Sequence, residues 1–139
     1  MRHTNGWTGV RVVLADDDEA FLDALAPVID RQPELSVVGA ARDGLEAIEY
    51  VERLAPEAVV IDLHMPRLDG VSAVARLRND HPNLCLIALT GDDDAQLHRA
   101  AEEAGADAVI VKDDFFVGLL DRLASIRSGR LADSDETAA

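Results

Sequence analysis

Five short runs of valine, leucine, isoleucine and alanine recur along the chain, at Val10–Ala15, Leu35–Ala41, Ala58–Ile61, Leu84–Leu89 and Ala108–Val111. Most are rich in β-branched residues, and none alternates cleanly between apolar and polar. A strand with one wet face would alternate; a run that stays apolar is buried on both faces, as parallel strands are. The segments between the runs have helical spacing. Phe21, Leu22, Leu25, Val28 and Ile29 mark one face of the first, and Leu45, Ile48, Val51 and Leu54 mark the second. Val71, Val74 and Leu77 mark the third. The fourth, around Leu97, Ala100, Ala101 and Ala104, is weaker, and the fifth, with Phe116, Leu119, Leu120, Leu123 and Ile126, is strong. Strands that alternate with helices predict an α/β fold with a parallel sheet and right-handed crossovers. Pro27 falls inside the first helix and removes the hydrogen bond to the Asp23 carbonyl, so a kink or a restart is expected there.

Aromatic residues make up 4% of the chain, so its core must be aliphatic. At 139 residues and 48% hydrophobic, the chain has material for one domain. We expect that domain at residues 10–127, between an N-terminal extension at 1–9 and an acidic flexible tail at 128–139. The formal net charge is -14. Such a surface repels nucleic acid and anionic membranes, which need basic contacts, and suits a cation or a basic partner. Cys85, the single cysteine, lies in an apolar run and reads as a buried structural thiol. The N-terminus lacks an apolar signal core and no run is long enough to span a bilayer, so a cytoplasmic protein is expected.

In an open parallel sheet, ligands bind at the carboxyl ends of the strands. Asp16, Asp17 and Asp18 follow the first run, Asp62 the third, Thr90 and Gly91 the fourth, and Lys112 the fifth. Carboxylates gathered at one rim can all stay ionised when a hard cation lies between them, and Mg²⁺ takes oxygen ligands of this kind. A carboxylate beside such a cation can attack phosphorus to give an acyl phosphate. A lysine and a hydroxyl nearby could hold phosphoryl oxygens. No hydrolytic triad, glycine-rich phosphate loop or Cys/His zinc pattern is present. The plainer reading gives these acids to helix starts. It accounts for Asp18 as an N-cap and for Glu19, but not for two more acids at the strand end. Asp69 and Asp92–Asp94 also read as caps, and His3, His81 and His98 as solvent-facing.

At these residues the sequence resembles the receiver domains of two-component response regulators, the CheY-like family. The likeness rests on the Asp pair after the first strand, "DLHMPRLDG" after the third, Thr-Gly after the fourth and Lys after the fifth. The stretches "VVLADDDEAF", "VVGAARDGLEAI" and "VKDD" are most similar to receivers of NarL/LuxR-type regulators. The resemblance implies a flavodoxin-like (βα)5 fold, its five strands in the order 2-1-3-4-5 with helices on both faces. It implies a phosphoacceptor rather than an enzyme, with Asp62 taking the phosphoryl group of a kinase phosphohistidine. Asp16, Asp17, Asp62 and the backbone carbonyl of His64 would then hold Mg²⁺ or Mn²⁺, and Thr90 and Lys112 would contact the phosphoryl group. Its partners would be a sensor histidine kinase or phosphotransfer protein. A second copy or a downstream protein would meet the surface around the fourth helix, fifth strand and fifth helix.

Three departures from the family's commoner pattern stand out, the last of them a pair of positions. Lys112 is followed by Asp113 where many receivers have a cis proline, and Val109 stands where many carry a switching aromatic. His64 and Asp92 occupy the positions that tune phosphoryl lifetime in the family. A receiver that acts by protein binding without phosphorylation is one alternative. An aspartate-nucleophile phosphatase is another, but it needs a second Asp where this chain has His64. A cobalamin-binding module shares Asp62 and His64, but Arg67 replaces its glycine. The chain is read as a stand-alone receiver or one excised from a helix-turn-helix regulator.

Overall fold

The computed structural model describes residues 9–65, 67–91, 94–112 and residue 123. Its strands are β1 (Val10–Ala15), β2 (Leu35–Ala41), β3 (Ala58–Asp62), β4 (Cys85–Thr90) and β5 (Ala108–Val111). Its helices are α1 (Glu19–Asp30), α2 (Gly44–Leu54), α3 (Gly70–Asp80) and α4 (Ala95–Ala104). The strands pair in parallel in the order β2-β1-β3-β4-β5. This is the expected flavodoxin-like sheet. Of the fifth helical segment, Leu123 is helical and fully buried, and the rest lies outside the described residues. So do the N-terminal extension to residue 8, the tail, Asp92 and Asp113.

Side chains of a strand alternate between the faces of its sheet. Val10, Val12 and Leu14 of β1 join Ala58, Val60, Ile87 and Leu89 on one face, where Leu22, Leu25 and Ile29 of α1 and Leu123 cover them. Val13 and Ala15 join Val59, Ile61 and Leu86 on the other, under Ala47, Ile48 and Val51 of α2 and Ala73, Val74 and Leu77 of α3. A smaller cluster under α4 contains Leu63, Ala88 and Ala101, with Val71, Leu97 and Val109 packed against it. Leu45 departs from the expected face of α2 and is exposed, at 38%. The small residues Gly44 and Ala47 lie inward in its place.

Each described helix begins with an aspartate whose side chain accepts a backbone N–H of the first turn: Asp18, Asp43, Asp69 and Asp94. Such caps satisfy donors that the helix leaves open. Asp43 is buried, and its second oxygen pairs with Arg67 Nη1 at 3.2 Å. Arg67 sits at φ 69 in the loop between β3 and α3, a left-handed conformation that costs a side-chain-bearing residue energy. Pro27 neither ends nor restarts α1, because the one carbonyl it frees belongs to exposed Asp23, where water can satisfy it.

At the opposite end of the sheet, Arg78 of α3 donates from Nε to the Gly105 carbonyl at 3.0 Å and from Nη1 to the Pro82 and Leu84 carbonyls at 2.8 Å. Its Nη2 meets Asp107 Oδ2 at 2.8 Å, and that oxygen also accepts from Leu86 N at 2.8 Å. Gly105 has φ 120, and a Cβ there would run into the Arg78 stem. His81 and His98 are half-buried rather than solvent-facing, and the Nε2 of each is shielded without a hydrogen-bond partner. Cys85 is in no disulfide and is half-buried at the start of β4 rather than fully enclosed.

Two backbone positions give predictions. Ala55 ends α2 in the left-handed region at φ 47, ψ 58. Ala55→Gly should raise the unfolding free energy by about 0.5–1 kcal/mol in urea titration. At Gly70, the first residue of α3, a Cβ would press on the Asp62 carbonyl and the Leu63 Cα. Gly70→Ala should therefore destabilise by roughly 1–3 kcal/mol in the same measurement, since a backbone cannot swing aside as a side-chain tip can.

Candidate functional site

Parallel strands put all their carboxyl ends on one rim. There Ala15 pairs with Ile61 and Asp62 with Leu89, so the ends of β1, β3 and β4 are level. Asp16 follows β1 directly, while Asp62 and Thr90 are the final residues of β3 and β4. Lys112 follows β5, whose last residue Val111 pairs with Thr90.

Asp16 is 1% exposed, Asp62 4% and Thr90 0%, whereas Asp17 and the His64 side chain face solvent. Carboxylate oxygens of Asp16, Asp17 and Asp62 lie within 4.8 Å of one another. Short bonds fix two of them. Asp16 Oδ1 accepts from Asp18 N at 2.9 Å, and Asp62 Oδ1 accepts from His64 N at 3.1 Å. The second oxygens face Lys112, whose Nζ lies 2.7 Å from Asp16 Oδ2 and 3.5 Å from Asp62 Oδ2. The Asp16 contact is an ion pair, and no hydrogen-bond donor is aligned on that buried oxygen. Three carboxylates against one ammonium leave a net negative charge when all are ionised.

Burial, and then the neighbouring Asp16 charge, push Asp62 from 3.8 up to about 6, even though the His64 N–H and Lys112 pull the other way. Burial works against the Lys112 ammonium too. The Asp16 and Asp62 carboxylates outweigh it and hold its pKa above that of an ordinary lysine. A donor set of carboxylate oxygens, two of them buried, with negative charge in excess, fits a hard divalent cation.

The structure thus brings Asp16, Asp17, Asp62 and Lys112 together and puts Thr90 at the end of the adjoining strand. His64 contributes its N–H to Asp62. Val109 packs into the apolar cluster under α4. One participant reads in the sequence only as core. The Phe21 ring lies against Lys112, its centroid 4.4 Å from Nζ. The signal that marks it is spacing, since Phe21 follows Asp17 by four residues in the first turn of α1. Among the described residues, no helix is long and apolar enough to cross a membrane.

Comparison with known proteins agrees with this geometry. The family model of the response regulator receiver domain matches residues 12–123. A protein-glutamate methylesterase/protein-glutamine glutaminase of Myxococcus xanthus is 38% identical over 104 residues, which cover 74% of this chain and 30% of that protein. An uncharacterised transcriptional regulatory protein of Bacillus subtilis is 35% identical over 104 residues, covering 75% and 49%. The chain therefore spans less than half the length of either relative. Among solved structures, the receiver domain of the response regulator NarL from Mycobacterium tuberculosis superposes with a TM-score of 0.76 at 26% identity, covering 84% of this chain and 97% of that one. The response regulator domain of Thermotoga maritima CheB gives 0.79 at 29% identity, covering 85% and 96%. With its parallel sheet in the order 2-1-3-4-5, its acidic cluster at the strand ends and the family model matched along most of its length, the chain belongs to the receiver domains of two-component response regulators.

Proposed function

We propose that this receiver takes a phosphoryl group onto Asp62 from the phosphohistidine of a sensor kinase or phosphotransfer protein. The observation that carries the reading is the setting of Asp62: a buried carboxylate at a strand end, beside two further carboxylates and an ammonium 3.5 Å away. A carboxylate oxygen of Asp62 forms the new bond to phosphorus. The bond from phosphorus to the histidine nitrogen breaks, and its electron pair stays on the imidazole, which takes up a proton. Asp16, Asp17, Asp62 and the His64 carbonyl would hold Mg²⁺ or Mn²⁺, which when bound supplies positive charge to the carboxylates and the incoming phosphoryl oxygens.

The chain's own residues supply the rest. The His64 N–H orients one oxygen of Asp62. Lys112 already lies against the other and is placed to follow the negative charge onto the phosphoryl group. The Thr90 hydroxyl, at the end of the neighbouring strand, donates to a further phosphoryl oxygen. The added charge then biases the surface built by α4, β5 and the segment that follows, where a second copy or a downstream protein would bind. The methylesterase relative is matched over 30% of its length, so the receiver role carries over and that activity does not. The effector served is that of a regulator of which this chain is a part, or a separate protein.

Incubation with acetyl phosphate and Mg²⁺ should add one phosphoryl group by intact mass, and Asp62→Ala should abolish the gain. No gain in the native chain would favour a receiver that acts without phosphorylation, and an undiminished gain in the variant would put the phosphoryl group on a residue other than Asp62. A pH effect follows from the raised Asp62. The folded, metal-free protein holds this proton more tightly than the unfolded chain does. The stability contributed by the group is therefore complete below about pH 4 and is lost as pH rises through about 6. Asp62→Asn keeps an acceptor for His64 and removes the charge. It should stabilise the metal-free protein at pH 8 by roughly 1–3 kcal/mol, and much less at pH 4.5, in urea unfolding with EDTA. Equal effects at the two pH values would mean that Asp62 titrates as an ordinary carboxyl.

A further inference from the structure

We propose that Phe21 is a positioning residue for phosphoryl transfer, its ring holding the Lys112 ammonium inside the site. The inference rests on the reading that Lys112 pairs with the transferred phosphoryl group. An ammonium has three donors on a flexible four-carbon stem. In this site Asp16 Oδ2 forms an ion pair with it at 2.7 Å, and Asp62 Oδ2 lies at the outer limit of hydrogen bonding, at 3.5 Å. The acceptor itself thus holds Lys112 weakly. The third neighbour is the Phe21 ring, 4.4 Å from Nζ to its centroid, well inside the range at which an aromatic face attracts a cation.

The chemistry of that neighbour matters. A carboxylate in its place would form a second full ion pair and compete with the phosphoryl group for the lysine. An aliphatic side chain would fill the space without attracting the charge. An aromatic face does neither: it attracts the ammonium and leaves all three N–H donors available to oxygen. The ring is also well anchored. Phe21 is half-buried against the core under α1, and its N–H bonds to the Asp18 cap at 3.2 Å. The β1–α1 junction therefore supplies the ring together with Asp16 and Asp17, and all three are fixed relative to one another while Lys112 enters from β5.

The test uses the full chain with Mg²⁺ and acetyl phosphate, a donor that needs no protein docking, and follows the initial rate of phosphoryl gain by intact mass. Phe21→Leu should slow the gain about 3- to 30-fold, and Phe21→Tyr should restore most of it. A 3,4,5-trifluorophenylalanine at position 21 keeps the shape of the ring and drains charge from its face. It should also slow the reaction, and it decides the matter alone if the leucine variant fails to fold. In a Lys112→Met background, Phe21→Leu should add no further loss. An unchanged rate in the fluorinated protein, or a full further loss in the Lys112→Met background, would overturn the proposal. An undiminished rate in Lys112→Met alone would overturn the role given to Lys112, a separate result.

Discussion

Because every strand pairs in parallel with its neighbour, the chain must cross back over the sheet after each one. The crossovers cover both faces, so the strands hold almost nothing but aliphatic residues. They also return the chain to the same starting edge each time. Among the described residues, the strand ends and helix starts therefore lie at one rim, and the candidate site lies there too. Asp16, Asp62, Thr90 and Lys112 come from four strands and are far apart in sequence. No single one of these segments could assemble the group; the direction of pairing does it.

That rim carries a conflict that the sheet alone cannot resolve. Asp16 and Asp62 are buried beside each other, and burial disfavours the ionised form of Asp62. Lys112 offsets part of the cost, with its ammonium shared unequally between them and its third side against Phe21. The remaining negative charge is what suits the cluster to a cation. The four aspartate caps do different work with the same side chain: they satisfy backbone donors at the helix starts.

Most of this was legible in the sequence, for a physical reason. A strand buried on both faces is a continuous apolar run, so β1, β2 and β5 have the bounds that their composition predicts. Asp62 and Thr90 end β3 and β4 instead of following them, because the backbone keeps its ladder for one more residue whatever the side chain. Reading by large apolar residues failed at Leu45, where Gly44 and Ala47 face inward. It also failed for His81 and His98, whose burial depends on neighbours distant in sequence. Phe21 read as core because spacing reports which side of a helix a residue occupies, and not what another strand brings to that side.

Arg78 shows a different kind of dependence. One guanidinium serves the carbonyls of Pro82, Leu84 and Gly105 and the carboxylate of Asp107, and Gly105 leaves the room its stem needs. These positions are not independent variables. A larger residue at 105 would displace the arginine. Loss of the arginine would take the Nη2 contact from Asp107, leave its carboxylate bonded to Leu86 N, and relieve the crowding at 105, where φ 120 still favours glycine. The effects of substitutions at 78, 105 and 107 should thus fail to add, and the three positions are free to drift only as a set.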